Sequence, residues 1–237
     1  MTQIGRVLLL APMTSELRPL VRISRSRRAD HEGFRSFTGR VGDLDVVIVR
    51  LGVGPAVARA VTGRALSAFP ADHVIVSGIA GGLDPDLRVG SVVVPESVVD
   101  LASGEKFRSH PLQGIVRKGT VGVADHLITD TARLSKLVAE GIVALEMESS
   151  GVAEACQEAR VPWTTIRVIG DRPDEGLTDA TVMSFLRPDG TVDSPAAIRH
   201  LLTHPQRIPG LLRLGRDSAN AAAKAARFTL ETLGRTC

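Results

Sequence analysis

Seven short runs rich in β-branched and aliphatic residues recur along the chain, at positions 7–10, 44–51, 73–77, 91–94, 119–123, 141–145 and 164–169. Several are continuous rather than alternating, the pattern of strands covered on both faces. Between them, stretches with helical spacing fall at 14–23, 57–68, 130–139 and 149–160. Strands alternating with helices predict right-handed crossovers and helices packed outside a sheet. The expected fold is therefore α/β: one three-layer domain over 1–237, with a central mixed, largely parallel twisted sheet flanked by helices. A length of 237 residues suits that domain, and no linker divides the chain.

Downstream of the last strand the pattern loosens. Positions 174–194 carry Pro, Gly and Asp without periodicity and read as a long loop, a candidate lid. Ser194 and Pro195 then form a cap and first-turn proline, predicting a helix to about Thr203. A longer helix is expected over 211–233. Its Ala-rich face suits packing on the sheet. Its Leu211, Leu212 and Leu214, mixed with Arg213, Arg216, Lys224 and Arg227, also fit a peripheral membrane contact.

Composition removes several function classes. Two cysteines, Cys156 and Cys237, give no disulfide framework and no metal-ligand spacing, so a reducing, cytoplasmic setting is expected and no metal or cofactor. The apolar run at 7–13 is too short to span a bilayer. Arg18, Arg22, Arg25, Arg27 and Arg28 cluster, but net charge is only +3 and aromatics are 3% with no Tyr. Without stacking platforms no nucleic-acid partner is expected. The cluster reads as a solvated helix end and loop.

Acidic residues carry the chemical signal. Glu146, Met147 and Glu148 end one apolar run and open a helix; Asp171 ends another. Ligands of open α/β sheets gather beyond the carboxyl ends of strands, so Glu148 and Asp171 are expected on two neighbouring strands facing one crevice. Gly52-Val53-Gly54-Pro55 lacks the third glycine of a dinucleotide fingerprint and reads as a tight strand-to-helix turn. Ser77-Gly78-Ile79-Ala80-Gly81-Gly82 reads as a glycine-rich loop whose backbone N–H groups suit a small polar ligand.

These segments, taken in order with Ala11-Pro12-Met13-Thr14-Ser15-Glu16, Val89-Gly90-Ser91-Val92-Val93 and Ile166-Arg167-Val168-Ile169-Gly170-Asp171, resemble the nucleoside phosphorylase family. Within it the chain resembles the methylthioadenosine/S-adenosylhomocysteine nucleosidases, over about residues 5–175. The resemblance implies cleavage of the N-glycosidic bond of a purine nucleoside by a homodimer. It assigns Glu16 to activating water and Asp171 to protonating the purine at N7. Glu148 would hold the ribose hydroxyls and Met147 would pack on the sugar. Glu146, Ile79, Gly81, Leu127 and Ile128 complete the implied substrate-binding group, with Leu127 where the family has an aromatic and Ile128 reading the purine edge through its backbone.

The chemistry fits those residue types. Breaking a C–N bond at an anomeric carbon develops oxocarbenium character, which two spaced carboxyls serve, one as acid and one activating water. Phosphorylases of the family resemble one another in an Arg and a Ser flanking the glycine turn; here Val76 and Ile79 stand there, and water is the expected nucleophile. Two other readings remain open. Hopanoid-pathway adenosylhopane or futalosine-type nucleosidases are similar to this chain, and a non-catalytic nucleoside-binding protein would share the fold.

Overall fold

A computed structural model describes residues 4–31, 34–172 and 208–235. The expected loop at 174–194 and the helix after Ser194 lie outside the described residues. Among these, eleven strands join one mixed sheet: β1 (Arg6–Ala11), β2 (Arg27–His31), β3 (Phe34–Val41), β4 (Leu44–Arg50), β5 (His73–Gly82), β6 (Val92–Val93), β7 (Ser97–Asp100), β8 (Lys106–Arg108), β9 (Thr120–Val123), β10 (Ile142–Glu146) and β11 (Trp163–Asp171). The described helices are α1 (Thr14–Ser24), α2 (Pro55–Ala68), α3 (Thr131–Ala139), α4 (Ser149–Ala159) and α5 (Ile208–Arg235). The main path runs β2-β3-β4-β1-β5-β10-β9-β7-β8, and β11 pairs with β5 and β6.

The seven apolar runs all become strands. The expected helices form as well, with α5 beginning three residues early. β4, β1, β5 and β11 pair in parallel, and so do β10, β9 and β7. The two parallel blocks meet in antiparallel sense, β10 against β5. One face of the sheet packs through Val74, Val76 and Trp163 on α2 and α4, using Ala58, Ala65, Val152 and Ala153. The other packs through Leu9, Ile75 and Ile166 on α1 and α5, using Leu17, Leu20, Ala226 and Leu230. The Ala-rich face of α5 is buried, as its composition predicts.

Two expectations need correction. Arg27 and Arg28 do not lie in a loop; they open edge strand β2, which pairs antiparallel with β3. Charge on an edge strand blocks further pairing, so a sheet edge and a solvated loop look alike in sequence. Second, β10 and β11 are not neighbours, because β5 lies between them.

That intervening strand organises the molecule. Along one edge of β5, β1 pairs up to Leu10↔Val76 and then ends. β10 enters on β5 from the opposite direction, at Leu145↔Gly81 and Ala144↔Gly82. Among the described residues, 77–80 of β5 thus have no strand partner along one edge, while β11 pairs with them along the other. The sheet splits there. The segment read as a glycine-rich loop is the second half of a ten-residue strand.

Candidate active site

The split in the sheet is filled by side chains. β1 ends at Ala11, and Met13 starts α1 in an extended conformation. Glu16 is the third residue of the helix, where a carboxylate can turn back to the free N–H groups of the first turn. Its Oε2 accepts the Met13 N–H at 2.8 Å, and its Oε1 accepts the Ile79 N–H at 2.8 Å, inside the unpaired stretch of β5. Glu16 therefore closes the gap in the ladder. Gly78 is required beside it: a Cβ there would lie 2.5 Å from Glu16 Oε1 and 2.6 Å from Arg167 Nη1.

Opposite Glu16, the end of β10 delivers two more acids. Glu146 is 6% and Glu148 4% exposed, and both meet Arg167, which is fully buried. Arg167 Nη2 bonds Glu146 Oε2, lies 3.3 Å from Glu148 Oε2 and 3.3 Å from Ser149 Oγ; its Nη1 reaches the Ile79 carbonyl at 3.5 Å. Its Nε has no partner among the described residues. The Gly54 amide, at the start of α2, also hydrogen-bonds Glu148. Gly52 and Gly54 hold φ of 92° and 98°, left-handed values that suit glycine, so the Gly52-Val53-Gly54 turn is tight as expected and also serves the acid cluster.

Three carboxylates around one guanidinium leave an excess of negative charge away from water. Burial raises the Glu16 pKa, against the opposing pull of Arg167 and its two N–H donors. Burial, with the Glu146 charge beside it, raises Glu148 to about 8. For Arg167 burial works against the charge, and the three carboxylates more than restore it. Burial thus favours the protonated forms of Glu16 and Glu148, which is how a site keeps several acids together.

Asp171 sits further along. After a bulge that leaves Gly170 unpaired, it pairs with Gly81, and its Oδ1 lies 3.6 Å from where a Gly81 Cβ would stand. It is half-buried. Ile79 and Gly81, anchoring Glu16 and Asp171, are separated by roughly 7 Å along β5. The pleat alternates faces between Gly78 and Gly81, and a bulge such as that at Gly170 bends a strand and re-aims the side chains after it. Met147 is half-buried between Glu146 and Glu148. Leu127 is half-buried, while Ile128 packs in a separate cluster with Leu83, Ala124 and Leu137, Leu83 being the residue that follows β5.

The structure therefore brings Glu16, Glu146 and Glu148 together, sets Asp171 beside Gly81, and places Leu127 and Ile128 in the segment after β9. Sequence reasoning missed Arg167 as a site residue. Its signal was a lone cation within the apolar run of β11, where a buried charge requires a counter-charge. Two clefts of about 710 and 540 Å³ open elsewhere, against α3 and between α2 and α4; none of these acids lines them.

A sheet split around buried carboxylates, with a further acid after a bulge, defines an α/β protein built to hold a small polar molecule at a strand end. A family model, the phosphorylase superfamily, matches residues 6–115 and 114–190. The chain belongs to that superfamily. It is 30% identical over 164 residues to a 5′-methylthioadenosine/S-adenosylhomocysteine nucleosidase of Bacillus subtilis, covering 56% of this chain and 71% of that one. A protein of the same name from Hydrogenovibrio crunogenus is 27% identical over 205 residues, covering 73% and 87%. Among solved structures, a Helicobacter pylori 5′-methylthioadenosine/S-adenosylhomocysteine nucleosidase in complex with a substituted pyrrolidinol superposes with a TM-score of 0.74 at 18% identity, covering 99% and 100%. The futalosine hydrolase of Helicobacter pylori gives 0.73 at 18% identity, covering 98% of each chain.

Proposed function

We propose that this protein is a purine nucleosidase that hydrolyses the N-glycosidic bond of a 5′-substituted adenosine, of the methylthioadenosine/S-adenosylhomocysteine type, and releases adenine. The whole chain, 1–237, forms the one domain that does so. The observation that carries the reading is the gap in β5, where Glu16 is fixed by two backbone N–H groups beside Arg167 and Glu148. The names of the relatives support the substrate class.

In this reading Glu16 accepts a proton from the attacking water, and Glu148 accepts hydrogen bonds from the ribose hydroxyls. Met147 packs on the sugar. Asp171, which follows the bulge at Gly170 and lies beside Gly81, donates a proton to N7 as the C–N bond breaks. Ile79, Gly81, Leu127 and Ile128 bound the purine end. Water is preferred over phosphate because the Ile79 N–H, a donor a phosphate would need, is already taken by a carboxylate. Incubation of the purified protein with a panel of 5′-substituted adenosines, with and without phosphate, tests this. Adenine release without phosphate is expected; release that requires phosphate defeats the hydrolytic reading, and no release from any member defeats the nucleosidase reading.

The finer expectations belong here as well. Cytoplasmic residence is supported by the lack of a disulfide framework in a chain with two cysteines. A homodimer is supported by the small residues Ala56, Ala60 and Gly63 lining the cleft on α2, where a second copy can approach closely. Among the described residues no helix is long and apolar enough to cross a membrane. A peripheral contact is supported by the packed pair α1 and α5: Arg18, Arg22 and Arg25 on one, Arg213, Arg216, Lys224 and Arg227 on the other, are all exposed.

A further inference from the structure

Glu146 is placed by sequence among the groups that touch the nucleoside, yet its carboxylate is buried and bonded to the start of α4 and to Arg167. Oε1 accepts the Ser149 N–H at 3.0 Å. Oε2 accepts the Glu148 N–H, the Ser149 N–H and the Ser149 hydroxyl, each at 3.1 Å, and bonds Arg167 Nη2. A carboxylate has about four lone-pair sites. Four of the five contacts fall on Oε2, and the remaining lone pair of Oε1 belongs to a side chain only 1% exposed.

We infer that Glu146 is a positioning residue that clamps the start of α4 to the Arg167 guanidinium and leaves ribose binding to Glu148. This deepens the proposed nucleosidase reading and rests on it. Glu148, the residue before α4, makes no side-chain bond to its own helix. Glu146 satisfies those first-turn N–H groups instead, two residues away. The Ser149 hydroxyl also lies 3.1 Å from Thr165 Oγ1 on β11, its one proton shared between that oxygen and Glu146, so α4, β10 and β11 meet at one point. Arg167 is thereby fixed between Glu146, Glu148 and the Ile79 carbonyl.

The clamp has an electrostatic consequence. The groups facing Glu148 are Glu16 from α1, Glu146 from β10, Arg167 from β11 and the Gly54 amide. Glu146 both raises Glu148 by its own charge and holds the arginine that would otherwise lower it. A Gln in its place can still accept from Ser149 but neither repels Glu148 nor holds Arg167 by charge.

The test is a ¹³C carboxyl titration by NMR on the protein without substrate, the Glu148 resonance being assigned with Glu148→Gln. For Glu146→Gln the Glu148 midpoint falls by about one pH unit or more, the usual size of removing an adjacent like charge. Ser149→Ala, which removes the neutral hydroxyl bonds to Glu146, Thr165 and Arg167 but no charge, shifts the midpoint by well under one pH unit. An unchanged midpoint in folded Glu146→Gln reduces Glu146 to a helix cap and overturns the proposal. So does a KM that rises tenfold for a ribonucleoside but not for its 2′-deoxy counterpart, since that marks a direct hydroxyl contact. If Glu146→Gln does not fold, Glu146→Asp keeps the charge and must keep the high midpoint; a fall overturns the clamp. The titration needs no turnover, so its failure is separate from that of the nucleosidase reading, which shows as wild-type protein that releases no adenine.

Discussion

Replacing Arg167 by methionine removes the one cation that the structure shows among Glu16, Glu146 and Glu148. The side chain is fully buried, and methionine fills much of the same space, so the loss is chiefly electrostatic. Removing one partner from a buried ion pair costs about 3–5 kcal/mol, because the remaining charge has no compensation. For a chain of this size that corresponds to roughly 6–20 °C in Tm. The acids can relieve part of the cost by taking up protons, which fixes the sign of the pH dependence. Glu16 and Glu148 already have folded pKa values above their ordinary value, Glu148 at about 8. Protons bound in the folded state then exceed those in the unfolded state between the two values, and stability is lost as pH rises through that window. Without Arg167 the window widens upward. Thermal unfolding from pH 5 to 9 should show a deficit for Arg167→Met that grows with pH. A deficit independent of pH would refute the reasoning, because the cluster would then be held by packing rather than by charge.

Other outcomes follow from the same geometry. Gly78→Ala forces a Cβ into both Glu16 and Arg167, so adenine release should fall at least about tenfold while overpacking costs about 1–3 kcal/mol; full activity with an unchanged Tm would contradict the close approach. KM for the nucleoside should decrease as pH rises through about 8, where Glu148 becomes a carboxylate able to accept from two hydroxyls, and a flat profile from pH 6 to 9 would remove Glu148 from ribose binding. If α1 and α5 meet a membrane, the protein should sediment with vesicles containing anionic lipid and not with neutral ones. Arg18→Glu, Arg22→Glu and Arg25→Glu together should then weaken that binding by about a hundredfold or more, each basic residue contributing near 1 kcal/mol; equal sedimentation with both vesicle types would dismiss the contact.

The sequence was most legible where burial dictates residue type. The runs that become β1, β4, β5 and β11 are covered on both faces, so nearly every position had to be apolar, and they stood out. The edges did not. Arg27–His31 and Lys106–Arg108 hold their strands through ladder bonds to β3 and β7, and polar side chains there report solvent rather than backbone. Glycines in Ser77-Gly78-Ile79 were read as a turn, whereas Gly78 is needed inside a strand because two charged side chains lie over it. Glu148 is legible as an acid following a strand and Glu16 through the family resemblance, but their meeting depends on β1 pairing with β5 only as far as Val76 and β10 arriving reversed at Gly81, a register that local pattern does not encode. Arg167 is hidden in sequence because a single cation within an apolar run does not disturb the strand pattern, and its burial depends on carboxylates from β10 and the start of α4.

The proton delivered to the purine is the step on which the account turns, and Asp171→Asn isolates it. Asparagine preserves shape and position beside Gly81 but cannot give up a proton. Adenine release measured with folded Asp171→Asn, at a Tm matching wild type, should fall by about 10²–10⁴-fold, the usual weight of general acid assistance. Turnover close to wild type would contradict the mechanism.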